Sequence, residues 1–240
     1  MNKRIAVIGG GITGLTAAWR LHTLGHRVRL FEASGRVGGA IRSERRDGWL
    51  IEAGPNTLQV NSRQVDGILR EIGLESQQLV ANPAAKKRFL VRDERLQALP
   101  SSPPALLTSR LFSLSAKFRL ISEIFAKRRE HAGDVSLADF VRDHFGAELV
   151  DYGLEPFVAG IYAGDAEKLS TRHAFPKFLE IERTHGSLLR GQIASARERR
   201  ARGEPRSRLI SFAEGLQKLP DTLAATLPSG AIQLDATVDA

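Results

Sequence analysis

The sequence predicts an α/β fold in which a small parallel sheet is interrupted by a largely helical insertion. An apolar run at residues 4–8 is followed by a glycine-rich turn, a segment with apolar residues at helical spacing, and a second apolar run at 27–31. From residue 103 one helical pattern follows another, and strand-like segments return at 209–212 and 232–234. Alternating strand and helix patterns are typical of parallel sheets, so the middle of the chain is predicted to be inserted into such a domain.

The first turn has the spacing of a dinucleotide-binding loop. Gly9, Gly11 and Gly14 stand between the first strand and the first helix. Glycine at these positions permits the tight turn, the approach of a pyrophosphate to the backbone, and close packing of helix on strand. Glu32, which lies 18 residues after Gly14, is placed to accept a hydrogen bond from a ribose hydroxyl and disfavours a 2′-phosphate. The sequence therefore predicts a Rossmann-like domain that binds a dinucleotide.

A second glycine pair, Gly38-Gly39, follows this acidic residue. The segment from Glu32 to Ser43 resembles the R-x-G-G stretch of flavoprotein oxidases of the amine-oxidase type, which a simple nicotinamide dehydrogenase does not need. Glycine removes side chains where the chain would pass the adenosine diphosphate, and Arg36 and Arg42 are expected to face its phosphates. The resemblance therefore implies FAD and not NAD.

Capping and turn residues predict the remaining elements. Hairpins are predicted over 41–52, around Asp47-Gly48, and over 88–99, around Asp93-Glu94. Helices are predicted from Ser62 to Gly73, from Ser136 to Gly146, over 187–202 and over 216–227.

These elements divide the chain into four segments. We predict the first part of the FAD-binding domain at 1–82, substrate-domain strands at 83–100, a helical subdomain at 101–204 and a return to the FAD-binding domain at 205–240. The last strand should rejoin the first sheet with nothing after it to cover that sheet. We therefore expect the chain to be the N-terminal part of a longer enzyme, and to be inactive alone.

Composition excludes several kinds of site. The chain has no cysteine, which excludes disulfides, thiolate nucleophiles and cysteine-ligated metals, and no metal site is predicted. It shows no signal peptide and no apolar run near the roughly 18 residues that span a bilayer, so a cytoplasmic location is predicted. The net charge is +8, but the basic run at 197–208 has no aromatic residue to stack on a base, and no nucleic-acid partner is predicted.

Four further segments resemble the protoporphyrinogen oxidases, the oxygen-dependent flavoenzymes of haem synthesis. They are residues 52–58, 84–91, 155–170 and 211–217. The resemblance runs in order over nearly all of the chain, and the segment around Gly160 is its most specific part. One departure is Glu214, which stands where such sequences often have glycine and puts the local turn in doubt.

Carried over residue by residue, the resemblance implies contacts with FAD and with substrate. It implies that Arg88 pairs with a propionate of the tetrapyrrole and that the main chain of Gly160 lies near the reacting methylene bridge and the flavin. Because the flavin ring accepts the hydride, no catalytic acid–base pair is required. The implied FAD-binding residues are Gly9, Gly10, Gly11, Ile12, Thr13, Gly14, Glu32, Arg36, Gly39, Ala40, Gly54, Pro55, Asn56, Thr57 and Val238.

The implied reaction is FAD-dependent oxidation of protoporphyrinogen IX to protoporphyrin IX with O2 as electron acceptor. There are two alternatives within the enzymes. One is oxidation of coproporphyrinogen III to coproporphyrin III, and the other is a reaction of another amine-oxidase-type flavin oxidase or desaturase. A non-enzyme alternative is a binding protein like the guanine-nucleotide dissociation inhibitors, against which Glu32 and the Gly160 segment argue. The alternative for Arg88 is a solvated cation in the cluster Lys86-Lys87-Arg88.

Residues 104–129 interleave leucine, isoleucine and phenylalanine with arginine and lysine. A basic amphipathic pair of helices suits the surface of an anionic membrane. Peripheral contact with the inner face of the cell membrane is therefore one prediction. The alternative is that these apolar faces pack into the core of the helical subdomain.

Overall fold

The computed structural model describes residues 3–100, 103–129, 133–203 and 207–239. Its strands are β1 (Arg4–Ile8), β2 (Arg27–Phe31), β3 (Ser43–Arg46), β4 (Trp49–Glu52), β5 (Leu58–Val60), β6 (Leu79–Val80), β7 (Phe89–Arg92), β8 (Arg95–Ala98), β9 (Arg208–Ser211) and β10 (Ile232–Gln233). Its helices are α1 (Ile12–Thr23), α2 (Arg63–Glu71), α3 (Pro103–Thr108), α4 (Leu114–Ser122), α5 (Leu137–Phe145), α6 (Ala147–Leu149), α7 (Glu155–Tyr162), α8 (Thr171–Ala174), α9 (Pro176–His185), α10 (Leu188–Ala201) and α11 (Lys218–Ala225).

The chain divides into two compact units. The first unit comprises Met1–Pro83 together with Glu204–Ala240, and the second comprises Ala84–Gly203. The second unit is thus an insertion into the first, and it contains the hairpin β7–β8 as well as the helices α3 to α10.

A three-stranded parallel sheet in the order β1-β2-β10 forms the centre of the first unit. Arg4 pairs with Arg27 at the start of β1, and Ile232 pairs with Leu30. The closing strand therefore rejoins the first sheet, as predicted. Apolar residues of α1 and α11, such as Leu15 and Leu223, pack with Leu30 in one buried core. The predicted α/β fold class, with its Rossmann-like first domain, is confirmed.

A second sheet in the first unit, β5-β9-β6, is antiparallel and was not predicted. Its outer strands are only two and three residues long, too short to show a period-2 pattern. Val60 and Ile210 are buried in this sheet. The strand predicted at 209–212 lies one residue earlier, and the helix predicted at 216–227 is shorter by two residues at each end.

Both predicted hairpins form with two-residue turns. Asp47 and Gly48 have φ of 50° and 83° in the turn β3–β4, and Asp93 and Glu94 have φ of 50° and 59° in the turn β7–β8. Two consecutive residues with positive φ define the turn type whose twist matches antiparallel strands.

The second unit has its own apolar core, formed largely by the capped helices. Ser136 begins α5 by accepting a hydrogen bond from the N–H of Asp139, and Ser187 begins α10 by accepting one from Arg190. The core includes Leu137, Phe140, Val141, Val150, Val158 and Leu188. Among the described residues, no helix combines the length and the apolarity that crossing a bilayer demands.

A buried polar network joins α5, α9 and α10 to the turn that follows α4. One carboxylate oxygen of Glu123 lies 3.0 Å from His144 Nδ1 and accepts the Leu188 N–H at 2.7 Å, while the other accepts the Ser187 hydroxyl at 2.8 Å. Glu182 lies 3.1 Å from His144 Nε2. Burial by itself raises the pKa of Glu123, but these hydrogen bonds together lower it below its ordinary value. Glu123 therefore acts as a fixed anion at the start of α10.

Candidate functional site

The glycine turn opens onto a cavity of about 760 Å³ in the first unit. The cavity lies where β1 ends and α1 begins, the position at which open α/β sheets bind ligands. Its lining draws on separate parts of the sequence: Val7, Ile8, Gly9, Gly11, Ile12, Thr13, Gly14, Ala17, Gly38, Ala40, Ile41, Pro55, Thr57, Leu58, Leu216 and Leu219.

The glycines of the first turn have two different roles. A Cβ added to Gly14 would lie 1.9 Å from the carbonyl oxygen of Gly9, so glycine is required there for the helix to pack on the turn. A Cβ added to Gly11 would meet only the Cα of Gly39, at 4.0 Å, and the φ of Gly11 is −69°. No contact with a described residue therefore requires glycine at position 11. The space beside Gly11 is part of the cavity, as expected for a position that a ligand approaches.

The start of α1 presents backbone N–H groups at this cavity. The N–H of Leu15 is the first to bond within the helix, to Gly11 O at 2.9 Å. The preceding N–H groups of Ile12, Thr13 and Gly14 have no partner within an α-helix. The first turn of α1 contains no acidic residue, so the positive end of the helix dipole is available to an anion.

Glu32 lies at the end of β2, beside the glycine turn. Its carboxylate accepts hydrogen bonds from the N–H of Gly10 at 2.5 Å and from the N–H and hydroxyl of Ser34 at 2.9 and 2.7 Å. The Ser34 hydroxyl, followed by the two backbone donors, lowers the pKa of Glu32. The residue is therefore an ionised acceptor at neutral pH, as a ribose-binding role requires.

The second glycine pair packs directly on the first turn. The N–H of Gly38 donates to Gly10 O at 2.8 Å, and a Cβ on Gly39 would lie 3.1 Å from the Cα of Gly11. Gly38 and Gly39 have φ of 114° and 57°, a region that favours glycine. The pair thus lets two loops of backbone approach each other at the floor of the cavity.

The two arginines of this segment are engaged within the protein. The Arg36 guanidinium donates to the carbonyls of Ile41 at 2.9 Å and Gly39 at 2.6 Å. Arg42 lies 3.6 Å from Glu44. Arg36 therefore fixes the glycine-pair loop, and the expectation that the two arginines face phosphates stays a prediction.

The segment 54–57 forms another wall of the cavity. A Cβ on Gly54 would lie 1.9 Å from Ala40 O, so this glycine allows close backbone packing. Pro55 and Thr57 line the cavity, whereas Asn56 is exposed and its side chain accepts a hydrogen bond from Thr57 at 3.3 Å.

Residues after β9 complete the cavity and were not assigned to it from the sequence. Leu216 and Leu219 line it, and the N–H of Leu216 donates to Glu52 at 2.8 Å. Gly215 has a φ of 93°, whereas Glu214 does not have positive φ. The turn therefore forms with glutamate at 214. The resemblance of residues 211–217 to the flavoenzymes was the available signal for these contacts.

The segment after β10 returns to Glu32. The N–H of Ala236 donates to Glu32 O at 2.9 Å and that of Asp235 to Ser34 O at 3.2 Å. Val238 follows two residues later and is exposed. Its contact with FAD, which the resemblance implies, stays a prediction.

The two residues predicted to contact substrate lie in the second unit. Arg88 is exposed and precedes β7, and its carbonyl accepts the N–H of Leu99 at 2.8 Å. The hairpin is anchored by Arg92, which lies 2.6 Å from Glu148 and 4.0 Å from the centre of the Tyr152 ring. Gly160 is exposed within α7, and a Cβ there would meet nothing within 4 Å. Arg88 and Gly160 therefore belong to the second unit, whereas the glycines that line the cavity belong to the first.

Comparison with known proteins decides the family. Residues 12–240 match the family described as "Flavin containing amine oxidoreductase". The chain is 36% identical over 254 residues to protoporphyrinogen oxidase 2, chloroplastic/mitochondrial, of Arabidopsis thaliana, an alignment that covers 98% of the chain and 50% of that relative. The chain belongs to the flavin-containing amine oxidoreductases. This membership implies a flavin cofactor, and the identity to the Arabidopsis enzyme confirms the predicted resemblance to protoporphyrinogen oxidases.

Two other similar proteins bear on the function. Coproporphyrinogen III oxidase of Bacillus subtilis (strain 168) is 34% identical over 203 residues, covering 79% of the chain and 43% of that relative. A solved structure from Exiguobacterium sp. 255-15 superposes with a TM-score of 0.69 at 26% identity, covering 98% of the chain and 53% of that structure. The chain spans about half the length of the curated relatives it matches.

Proposed function

We propose that the chain forms the FAD-binding site and part of the substrate site of a porphyrinogen oxidase of haem synthesis. The preferred reaction is oxidation of protoporphyrinogen IX to protoporphyrin IX with O2 as electron acceptor. The observation that carries the proposal is the cavity walled by both glycine segments, in a chain 36% identical to a protoporphyrinogen oxidase.

The residues around the cavity fit FAD. The N–H groups from Gly11 to Gly14 would hold the pyrophosphate, where position 11 leaves open space and the dipole of α1 favours an anion. Glu32 would accept a hydrogen bond from the adenosine ribose, which in FAD carries no 2′-phosphate to repel the carboxylate. When bound, the flavin ring supplies the hydride acceptor.

The substrate-binding role rests on exposed groups of the second unit. The Arg88 cation would pair with a propionate, which guanidinium groups bind through two parallel hydrogen bonds. Gly160 lies on α7 between two exposed apolar side chains, Phe157 three residues before it and Ile161 one residue after it. Phe157 and Ile161 are four residues apart and therefore neighbours on the helix surface. Together with the open backbone of Gly160, they would offer an apolar surface to a tetrapyrrole.

Coproporphyrinogen III is the second candidate substrate, favoured by the identity of 34% to the Bacillus enzyme. The test uses the flavin-loaded polypeptide purified from its own cells, with residues 1–240 as a separate sample. Porphyrin fluorescence is followed for both porphyrinogens above the rate of spontaneous oxidation. Faster formation of protoporphyrin supports the preferred reaction, and faster formation of coproporphyrin the second. Flavin-loaded protein that oxidises neither would contradict the substrate assignment and leave the flavin site intact. We expect residues 1–240 alone to show no turnover.

We also propose peripheral contact with the inner face of the cell membrane, for a protein otherwise in the cytoplasm. Leu111 and Phe112 are buried, so part of the segment 104–129 packs internally. An apolar stripe on α4 and the turn after it stays exposed. Its members are Leu114, Phe118, Ile121 and Phe125, exposed by 83%, 74%, 44% and 79%. Their spacing of four, three and four residues places them on one helical face, as expected of a helix that lies in a membrane surface.

A further inference from the structure

A second cavity, of about 390 Å³, lies in the second unit and is lined mainly by arginines. We call it the arginine cleft. Its cationic members are Arg128, Arg129, Arg172 and Arg183, which come from the chain after α4, from α8 and from α9. All four are exposed. Leu179, Gly133 and Glu182 complete the lining.

The carboxylates near the cleft do not balance these cations. Glu182 is buried and lies 3.1 Å from His144 Nε2 in the polar network. Asp143 lies 4.0 Å from Arg129, the one ion pair that any of the four arginines makes with a described residue. Asp134 accepts the backbone N–H of Arg172 at 3.4 Å and also interacts with the charge of Arg172. Four arginines thus line one cleft with three described carboxylates near it, which leaves an excess of positive charge among the described residues.

The chain around the cleft is held in place by specific contacts. Gly186 has a φ of 73°, and a Cβ on it would lie 2.9 Å from the backbone nitrogen of Arg128. Arg190 donates a hydrogen bond to Ala126 O at 2.8 Å. The segment that carries Arg128 is therefore pressed against the turn between α9 and α10, which brings it near Arg183, three residues before Gly186.

We propose that the arginine cleft binds the phosphate group of an anionic membrane lipid. Guanidinium groups match the geometry of phosphate oxygens through paired hydrogen bonds. Phe125, the last member of the apolar stripe, is three residues from Arg128, so their Cα atoms are at most about 11 Å apart. Apolar side chains that enter a bilayer surface are placed within roughly 5–10 Å of the headgroup boundary, and the cleft would then meet the phosphates.

This inference rests on the proposed membrane contact and adds the headgroup site to it. The experiment measures co-sedimentation of the protein with phosphatidylglycerol vesicles and with phosphatidylcholine vesicles. The test variant is Arg172→Gln with Arg183→Gln. The matched control is Arg197→Gln with Arg199→Gln, which removes the same charge from exposed positions on α10. A circular dichroism spectrum equal to that of the unmodified protein verifies the fold of each variant.

We expect binding to phosphatidylglycerol that the cleft variant weakens roughly 25-fold, about fivefold for each arginine near the surface. The control variant should weaken binding to phosphatidylglycerol by less than a quarter of that factor, that is, by less than about sixfold. Equal binding by the cleft variant and the control would overturn the headgroup site while leaving the membrane contact standing. No binding to either vesicle would overturn both.

Inorganic pyrophosphate without vesicles provides the remaining arm. The unmodified protein could bind pyrophosphate, lose that binding in the cleft variant, and bind neither kind of vesicle. That result would show a site for a soluble phosphate compound and would refute the proposal of a lipid headgroup. The double substitution of Arg172 and Arg183 by lysine keeps the charge but loses the guanidinium fork. We expect it to bind more weakly than the unmodified protein and more tightly than the glutamine variant, whereas equality with the unmodified protein would show that charge alone acts.

Discussion

Replacement of Gly11 separates ligand binding from folding, because this position is open toward the cavity. Alanine at position 11 would place a Cβ 4.0 Å from the nearest atom, the Cα of Gly39. The φ of −69° and ψ of 175° suit any residue. An alanine there loses a few tenths to about 1 kcal/mol as a helix cap, and gains about 0.4–1 kcal/mol from a less flexible unfolded chain. The free energy of unfolding should therefore change by less than about 1 kcal/mol.

The loss of FAD affinity should be much larger. A Cβ in the path of the pyrophosphate would displace it from at least one of the backbone donors at the start of α1. A hydrogen bond to a charged group is worth about 1.5–3 kcal/mol, which corresponds to a roughly 10- to 150-fold weaker Kd. Gly11→Val should weaken binding further, since its side chain is larger.

The assay pairs FAD titration, followed by flavin fluorescence, with urea unfolding of each variant. Gly25→Ala serves as the remote control: a Cβ there also meets nothing within 4 Å, but φ is +84°, so it should cost about 1–2 kcal/mol of stability and leave the FAD Kd unchanged. Gly14→Ala, with a Cβ 1.9 Å from Gly9 O, should damage the fold itself. An unchanged Kd for Gly11→Ala, in a protein that binds FAD, would refute the placement of the pyrophosphate at this turn.

Two other substitutions test the second unit. Arg88→Leu should weaken porphyrin binding at least tenfold, the value of one charge-assisted hydrogen bond, and leave the flavin spectrum unchanged. Arg95→Leu on the same hairpin is its control, and equal effects of the two on porphyrin fluorescence titrations would favour the solvated-cation interpretation of Arg88. Glu123→Ala should destabilise the second unit by about 3–5 kcal/mol, because it leaves buried partners unsatisfied, whereas Glu198→Ala on the exposed face of α10 should stay within about 0.5 kcal/mol in thermal unfolding. Since the pKa of Glu123 is lowered, its stabilising contribution is present above its ordinary value and is lost as pH falls through the lowered pKa; acid unfolding unaffected by Glu123→Ala would contradict this.

Local signals in the sequence predicted the parts of the fold that depend on neighbouring residues. The glycine turn, the hairpin turns at Asp47-Gly48 and Asp93-Glu94, and the serine caps at 62 and 136 all form as predicted. Each depends on a backbone angle or a hydrogen bond within a few residues. The return of β10 to the first sheet followed from the strand pattern and the fold class together.

Contacts between distant residues were not predictable in the same way. The strand β5 pairs with β9 about 150 residues later, and neither strand is long enough to reveal a partner. In the polar network, Glu123 and His144 are 21 residues apart and His144 and Glu182 are 38 apart. Sequence spacing gives no measure of such contacts.

The same limit applies to the candidate site. The two glycine segments were identifiable because close approach of two backbone segments requires glycine. A Cβ on Gly39, for example, would lie 3.1 Å from the Cα of Gly11. The apolar wall formed by Leu216 and Leu219 was not identifiable from the sequence, because leucine is equally common in any hydrophobic core. Arg36 illustrates a further ambiguity: guanidinium donors serve carbonyls as readily as phosphates, and here they bond to the carbonyls of Gly39 and Ile41.

The adenosine diphosphate half of FAD is proposed to lie in the cavity at the glycine turn. Equilibrium dialysis of residues 1–240 against FAD, ADP and FMN tests this placement directly, because FMN has the flavin ring and a phosphate but lacks this half. We predict that FAD and ADP compete for one site per chain, that Gly11→Val weakens both, and that FMN at the same concentration does not displace ADP. Displacement of ADP by FMN, or binding of FAD that ADP does not reduce, would show that this cavity does not hold the adenosine diphosphate half of FAD.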